Sequence, residues 1–316
     1  MKKLWPELSY KQGKDTYDTL QLFTQVLGKI KLATLPWANH SWNITLHITP
    51  SGLTTQNMPF EKTDFQMDLD FTDHKFKIVT SRGDVRQFKL QGLTVAQFYN
   101  DVLSALKDLG ITTTIMTTPS EIENAIPFEK DEVHKTYEVK QAGNFHEALL
   151  SIQDVFMVFR GEFTGKSSPI HFFWGGFDLA LAFFSGRAAP KHLGIIPGLP
   201  NWVLQDAYSH ELMDFGFWPG SEAFPEAAFY CYLYPEPAGY KTADVLPQQA
   251  YYNNDMGEFI LPYTAVQQAE NPEEVLMEFL RSTYAIGAKL ANWDSNLFKK
   301  YRDFKIIDTK TVNMLK

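Results

Sequence analysis

A single cysteine, Cys231, stands among the 316 residues, so no intramolecular disulfide framework is available to the chain. Its neighbours Tyr230 and Tyr232 give it the setting of a buried strand, where a thiol packs as a small inert apolar group. No apolar run reaches the roughly eighteen residues of a membrane span. The longest is broken by His171, Gly175, Gly176 and Asp178. The opening MKKLWPELSYKQGKD has neither an apolar core nor a small-residue cleavage site, so no secretory leader is expected and the cytoplasm is the default location. Positive charge is in deficit, with 29 basic against 37 acidic residues and a net charge of -8. That balance removes the phosphate-driven part of nucleic-acid affinity, and nucleic acid is set aside as a partner. Also missing are the GxSxG elbow, the GxxxxGK[ST] and GxGxxG loops, and any HxH, HxxxH or HExxH spacing. Their absence argues against a serine-elbow hydrolase, a standard nucleotide enzyme and a compact metal motif.

What is present is apolar and aromatic: 44% and 15% of the chain, enough core for one large domain or two modest ones. The most aromatic stretch is 167–237, which opens with SSPIHFFWGGFDLALAFFSG. Strands usually run about three to ten residues, so this segment must be broken, and Gly175-Gly176 is the obvious place. A Gly-Gly pair between apolar runs signals a two-residue hairpin, because the matching turns need positive φ. Such a hairpin sets Trp174 opposite Phe177, Phe173 opposite Asp178 and His171 opposite Ala180, and places His171, Phe173, Asp178 and Ala180 on one face. Ala180 and Ala182 leave space on that face for a packed helix or a ligand.

Elsewhere, apolar spacing of three and four predicts a helix from Asp15 to Leu32. Alternation predicts strands over Trp42–Ile48, Phe65–Phe71, Lys75–Val79 and Val85–Leu90, and another at Ile111–Thr117. Thr94 with Gln97 three residues later opens a helix that Gly110 ends. Residues 119–141 read as a connection, followed by a densely apolar helix over 144–164 and a Pro/Gly-rich loop past Pro190. A short helical turn near 201–207, strands at 210–217 and 227–234, and a helix opened by Asn271-Pro272-Glu273-Glu274 complete the order.

These elements give an α+β fold of two similar halves, each an antiparallel sheet with helices on one face. The boundaries are 1–118, a connection at 119–142, 143–298, and a basic tail at 299–316. One stretch aligns between the halves: His47 before Pro50-Ser51-Gly52, and His171 before Trp174-Gly175-Gly176. So short a match arises by chance as readily as by internal duplication.

The segments WPEL, DTYDTLQLFTQVLGKIKL, SGLTT, SPIHFFWGGFDLA, YSHE, GFWPG, EAFPEAAFYCYLYPEPAG and GEFILPY resemble an uncharacterised bacterial family known only as a domain of unknown function. The resemblance covers nearly the whole chain apart from the C-terminal tail. It implies one full-length unit and assigns no activity or catalytic residue.

From the residues themselves, His171, Asp178, His210 and Glu211 are the candidate catalytic groups, with Glu222 and Glu226 in the loop beyond. Imidazole suits general base chemistry near neutral pH, and a carboxylate fixes its tautomer. Two histidines and a carboxylate could also hold a transition metal, but they would have to converge from three separate segments. The candidate ligand-binding residues are Trp174, Phe217, Trp218, Glu222 and Tyr232, since aromatic faces beside a few polar groups make a small-molecule pocket. The expectation is binding or turnover of a small molecule in the second half. The rival is a non-catalytic protein whose aromatic strands and Pro-rich loops pack a partner or a second copy. Nothing in the sequence names a cofactor, a substrate or an oligomeric state.

Overall fold

The structure, a computed structural model, describes residues 4–298. The basic tail at 299–316 lies outside the described residues. Helix α1 runs over Tyr10–Thr34, longer at both ends than its apolar spacing indicated. It is enclosed on most sides, because Thr16, Thr24, Gln25, Lys29 and Lys31 are buried along with Phe23, Val26 and Leu27.

The first sheet holds β1 (His47–Thr49), β2 (Gly52–Thr54), β3 (Met58–Phe60), β4 (Thr63–Asp70), β5 (Lys75–Thr80) and β6 (Val85–Lys89). All neighbours are antiparallel, in the order β1-β2-β4-β5-β6, with β3 also paired to β4. Alternation places Phe65, Met67 and Leu69 of β4 and Phe76 and Ile78 of β5 in the core. Two expected strands fall short. Over Trp42–Ile48 only the end is extended, because the Thr45 hydroxyl donates to the Trp42 carbonyl at 3.1 Å and the Ala38 amide donates to Asn43 Oδ1 at 3.2 Å. Those local bonds hold a turn in place of a ladder. Ile111–Thr117 pairs with no strand, and its alternation reflects Ile111 and Ile115 packing into the core.

Helix α2 (Val95–Asp108) has the expected capping box, with the Gln97 amide donating to Thr94 Oγ1 at 3.1 Å and the Thr94 amide to Gln97 Oε1 at 3.0 Å. Thr94→Ala should lower the unfolding free energy by about 1 kcal/mol, read as a shifted urea midpoint with unchanged slope. A long connection leads to α3 (Val139–Glu162).

The second sheet holds β7 (Lys166–Ser167), β8 (His171–Phe173), β9 (Asp178–Ala188), β10 (His210–Trp218), β11 (Ala228–Tyr234), β12 (Tyr251–Asn253) and β13 (Glu258–Pro262). Its order is β12-β13-β11-β10-β9-β7, with β8 on β9 and all pairs antiparallel. The β8–β9 register is the expected one, His171 opposite Ala180 and Phe173 opposite Asp178. The turn differs: it spans 174–177, and the left-handed residue is Phe177 at φ 57°, whereas neither Gly175 nor Gly176 has positive φ. The helices α4 (Asn201–Ala207), α5 (Tyr263–Gln267) and α6 (Pro272–Leu290) complete the described fold.

Leu181, Phe183, Phe215, Phe229 and Leu261 of the second sheet share one contiguous core with α1, α2, α3, α6 and the first sheet. The sheets also meet directly, through paired backbone bonds of 2.9 and 2.8 Å between Leu46 and Phe172. His47 and His171, the aligned histidines, stand beside that seam.

Candidate functional site

With one face of the second sheet committed to the core, its alternate residues face outward. They are Asp178, Ala180 and Ala182 on β9, Asp214, Gly216 and Trp218 on β10, Tyr230 and Tyr232 on β11, and Glu258 on β13. Gly216 sits in register between Ala180 and Tyr230, and the Tyr230 ring lies over it. A β-carbon at 216 would stand 2.1 Å from Tyr230 Cζ. The bare glycine therefore lets the tyrosine cross β10 and donate its hydroxyl to Asp178 Oδ2 at 2.5 Å. One register step away, Tyr232 donates to Asp214 Oδ2 at 3.1 Å. With that proton committed, Tyr208 is left to donate to the Tyr232 oxygen, 2.9 Å away.

Over this face lies a cleft in two chambers, about 780 Å³ and about 240 Å³, which share Glu121, Asp178, Tyr230 and Tyr232 in their linings. The larger opens between the start of α1, residues 119–126 and the loop at 220–223. The smaller is walled by His40–Trp42, His171, Trp174, Ile196 and α4. A polar row on α1 fixes the wall. Gln25 bonds the Ser120 backbone from both amide ends, at 2.9 and 2.8 Å, Lys29 Nζ donates to Ser120 Oγ at 3.1 Å, and Gln21 donates to the Gly175 carbonyl at 2.5 Å. So held, Glu121 takes a left-handed backbone, φ 61°, and its carboxyl packs on Gly175, where a β-carbon would stand 1.8 Å from Oε1. Non-glycine residues adopt that conformation at a cost, and such strain gathers at functional sites.

The acids of this face hold their protons unusually tightly. Burial raises Asp178 to about 6, and burial with the neighbouring Asp178 charge raises Asp214 to about 7. The same two causes raise Glu258 to about 8 and Glu121 to about 7, although Glu121 is exposed along much of its length. Burial lowers His171 to about 4. Its Nδ1 lies 2.7 Å from the Pro169 carbonyl, which can only accept, so Nδ1 carries the proton and Nε2 is a bare acceptor. Buried His171 Nε2 and Asp214 Oδ1 have no hydrogen-bond partner. Carboxyls that exchange protons near neutrality, next to tyrosine hydroxyls, are equipped to bind donors and to act as general acids or bases.

Of the residues singled out from sequence, His171, Trp174, Asp178 and Tyr232 line the smaller chamber, and Asp178, Trp218, Glu222 and Tyr232 the larger. Trp174 is also a structural anchor, lying over Gly28 and donating to the Ile44 carbonyl at 2.9 Å. His210 and Glu211 line neither chamber. His210 is exposed beside Ser209 Oγ, and Glu211 is held by Ser185 and Arg187. Phe217 points to the core face against Phe229 and Tyr263, and Glu226 is exposed outside both linings. Among the described residues no group of three or more His, Cys, Asp or Glu is placed to hold a metal ion. Asp214, Glu258, Glu121, Tyr208 and Tyr230 were not singled out beforehand as polar site groups. Asp214 had a signal, as the one acid inside the apolar strand LMDFGFW, and Glu258 heads EFILP in the same way. Glu121, in the connection, had none.

A family model described as a family of unknown function (DUF5996) matches residues 5–300. No curated protein and no solved structure matches the chain. Among the described residues no helix is long and apolar enough to cross a membrane.

Proposed function

The chain belongs to this family of unknown function, and we propose that it binds a small polar molecule in the two-chambered cleft on the outer face of the second sheet. The observation that carries this reading is that Glu121, Asp178, Tyr230 and Tyr232 line both chambers, and that Asp214 and His171 keep unpartnered buried acceptors in the smaller one. Pockets with convergent polar groups and displaced pKa values are where ligands bind. Asp178 is the central group, with Tyr230 fixing its position and Trp218, Tyr232 and Glu222 completing the lining. The excess of acidic residues and the lone cysteine support a role in the cytoplasm and away from nucleic acid.

The test is a ligand-observed NMR screen of a compound library spanning cationic, neutral and anionic molecules, repeated on Ala182→Leu and Asp178→Asn. Ala182 lines the smaller chamber, and a leucine there narrows it. At least one saturable ligand should bind the wild type and weaken about tenfold or more in both variants, with the fold verified by circular dichroism. Binding that survives both variants, or no binder at all, would overturn the reading. The exposed Leu193 and Ile195 would then favour the interaction protein, checked by light scattering for a second copy.

A further inference from the structure

We infer that the cleft's ligand is a small organic cation, an alkylammonium or polyamine, whose N–H groups satisfy Asp214, His171 and Asp178. This rests on the binding reading above and names its substrate class. The basic groups of the larger chamber are already committed to acids of the same lining: Lys14 to Asp18 at 2.5 Å, and His134 Nδ1 to Asp131 at 2.7 Å. Glu121, Asp178, Asp214, Glu222 and Glu258 form no ion pair among the described residues. An anionic ligand would meet no free cation there, whereas a cation stabilises the ionised form of acids that otherwise keep their protons up to about pH 6 to 8.

The second observation is independent of the charge count. Asp214 Oδ1 and His171 Nε2 are buried, unpartnered and line the same chamber, and His171 is 1% exposed. His171 Nε2 is an acceptor, since His171 spends its one proton on the Pro169 carbonyl, and Asp214 is an acceptor once ionised, above about pH 7. The nearby tyrosines cannot supply the missing donors, because Tyr230 and Tyr232 give their protons to Asp178 and Asp214. A bound molecule can supply these donors, and an ammonium carries up to three with no acceptor of its own. The faces of Tyr230, Tyr232 and Trp218 would hold its charge and its methylenes. Acids at both ends, Asp214 within and Glu222 and Glu258 outside, fit a molecule with two cationic heads.

Isothermal calorimetry on the full chain at about pH 8, with Asp178 and Asp214 largely ionised, tests this with putrescine, 1,4-butanediol and succinate, which are of similar length, and the longer spermidine. Putrescine and spermidine should bind saturably, at least about tenfold more tightly than the diol, with succinate giving no heat. Asp214→Asn should weaken spermidine about tenfold or more, and the exposed Glu222→Gln, which lies outside the core, about two- to fivefold. Equal or tighter binding of butanediol or succinate, lost in Ala182→Leu, overturns the cationic class and leaves the binding reading standing. Silence from all four probes also overturns the cationic class, and the library screen alone then decides whether the cleft binds anything.

Discussion

Raising the pH from about 6 to about 8 should cost the ligand-free protein on the order of 4 kcal/mol of the unfolding free energy that its buried acids contribute, partly offset by buried histidines and lysines. A carboxyl whose pKa is higher in the folded than in the unfolded chain binds protons more tightly when folded. Its contribution is fully present below the unfolded value and is lost as pH rises through the folded one. Asp178 moves from 3.8 to about 6, Asp214 from 3.8 to about 7 and Glu258 from 4.5 to about 8, so the loss runs from about pH 4 and levels off above about pH 8. A displaced pKa is worth about 1.4 kcal/mol per pH unit, and the three acids repel one another, so their contributions do not simply add. Two opposing effects bracket the window. His47 and His171, lowered to about 4, destabilise the fold as acid is added. Lys29 and Lys31, lowered to about 8, recover some stability in more basic solution. Urea titrations at stepped pH should therefore show the protein more stable at about pH 5 than at about pH 8. Asp214→Asn should raise stability at pH about 8 and flatten the profile, and a flat wild-type profile would refute buried acids as its source.

Gly216→Ala should cost about 2–4 kcal/mol and abolish ligand binding. The added carbon would stand 2.1 Å from Tyr230 Cζ, and the ring is buried with Trp218 and Tyr232 beside it. The ring must leave, and with it the bond to Asp178. Tyr230→Phe separates the two effects, since it keeps the ring over Gly216 and removes only the hydroxyl. It should retain most of the stability and lose part of the binding. A fully stable, fully binding Gly216→Ala protein would mean that the glycine does not position the tyrosine. Thermal unfolding and the ligand screen measure both outcomes.

The difference between legible and illegible elements is physical. The Thr94 capping box, the β4–β5 hairpin and the β8–β9 register are set by residues within a few positions of one another, and each appears where local pattern placed it. Local pattern failed where distant packing produced it. Ile111 and Ile115 alternate to fill a core without pairing, and α1 looked one-faced although Gln25 and Lys29 are buried on its other side to hold Ser120. Phe217 and Trp218 are neighbours in one aromatic stretch, yet strand alternation sends one to the core and the other to the cleft.

The sequence by itself determined a chain with an ample core, no disulfides, a negative balance, two antiparallel sheets with helices, and a hairpin that puts His171 and Asp178 on one face. Only the tertiary structure decided which acids join them. Asp214 and Glu258 come from strands about 30 and 80 residues downstream, brought beside Asp178 by the order of β9, β10, β11 and β13. Glu121 comes from the connection, pinned by α1. A site whose parts converge through sheet order and long-range side-chain bonds leaves no spacing in the chain to read. Its chemistry becomes visible once the register sets Tyr230 across Gly216 onto Asp178.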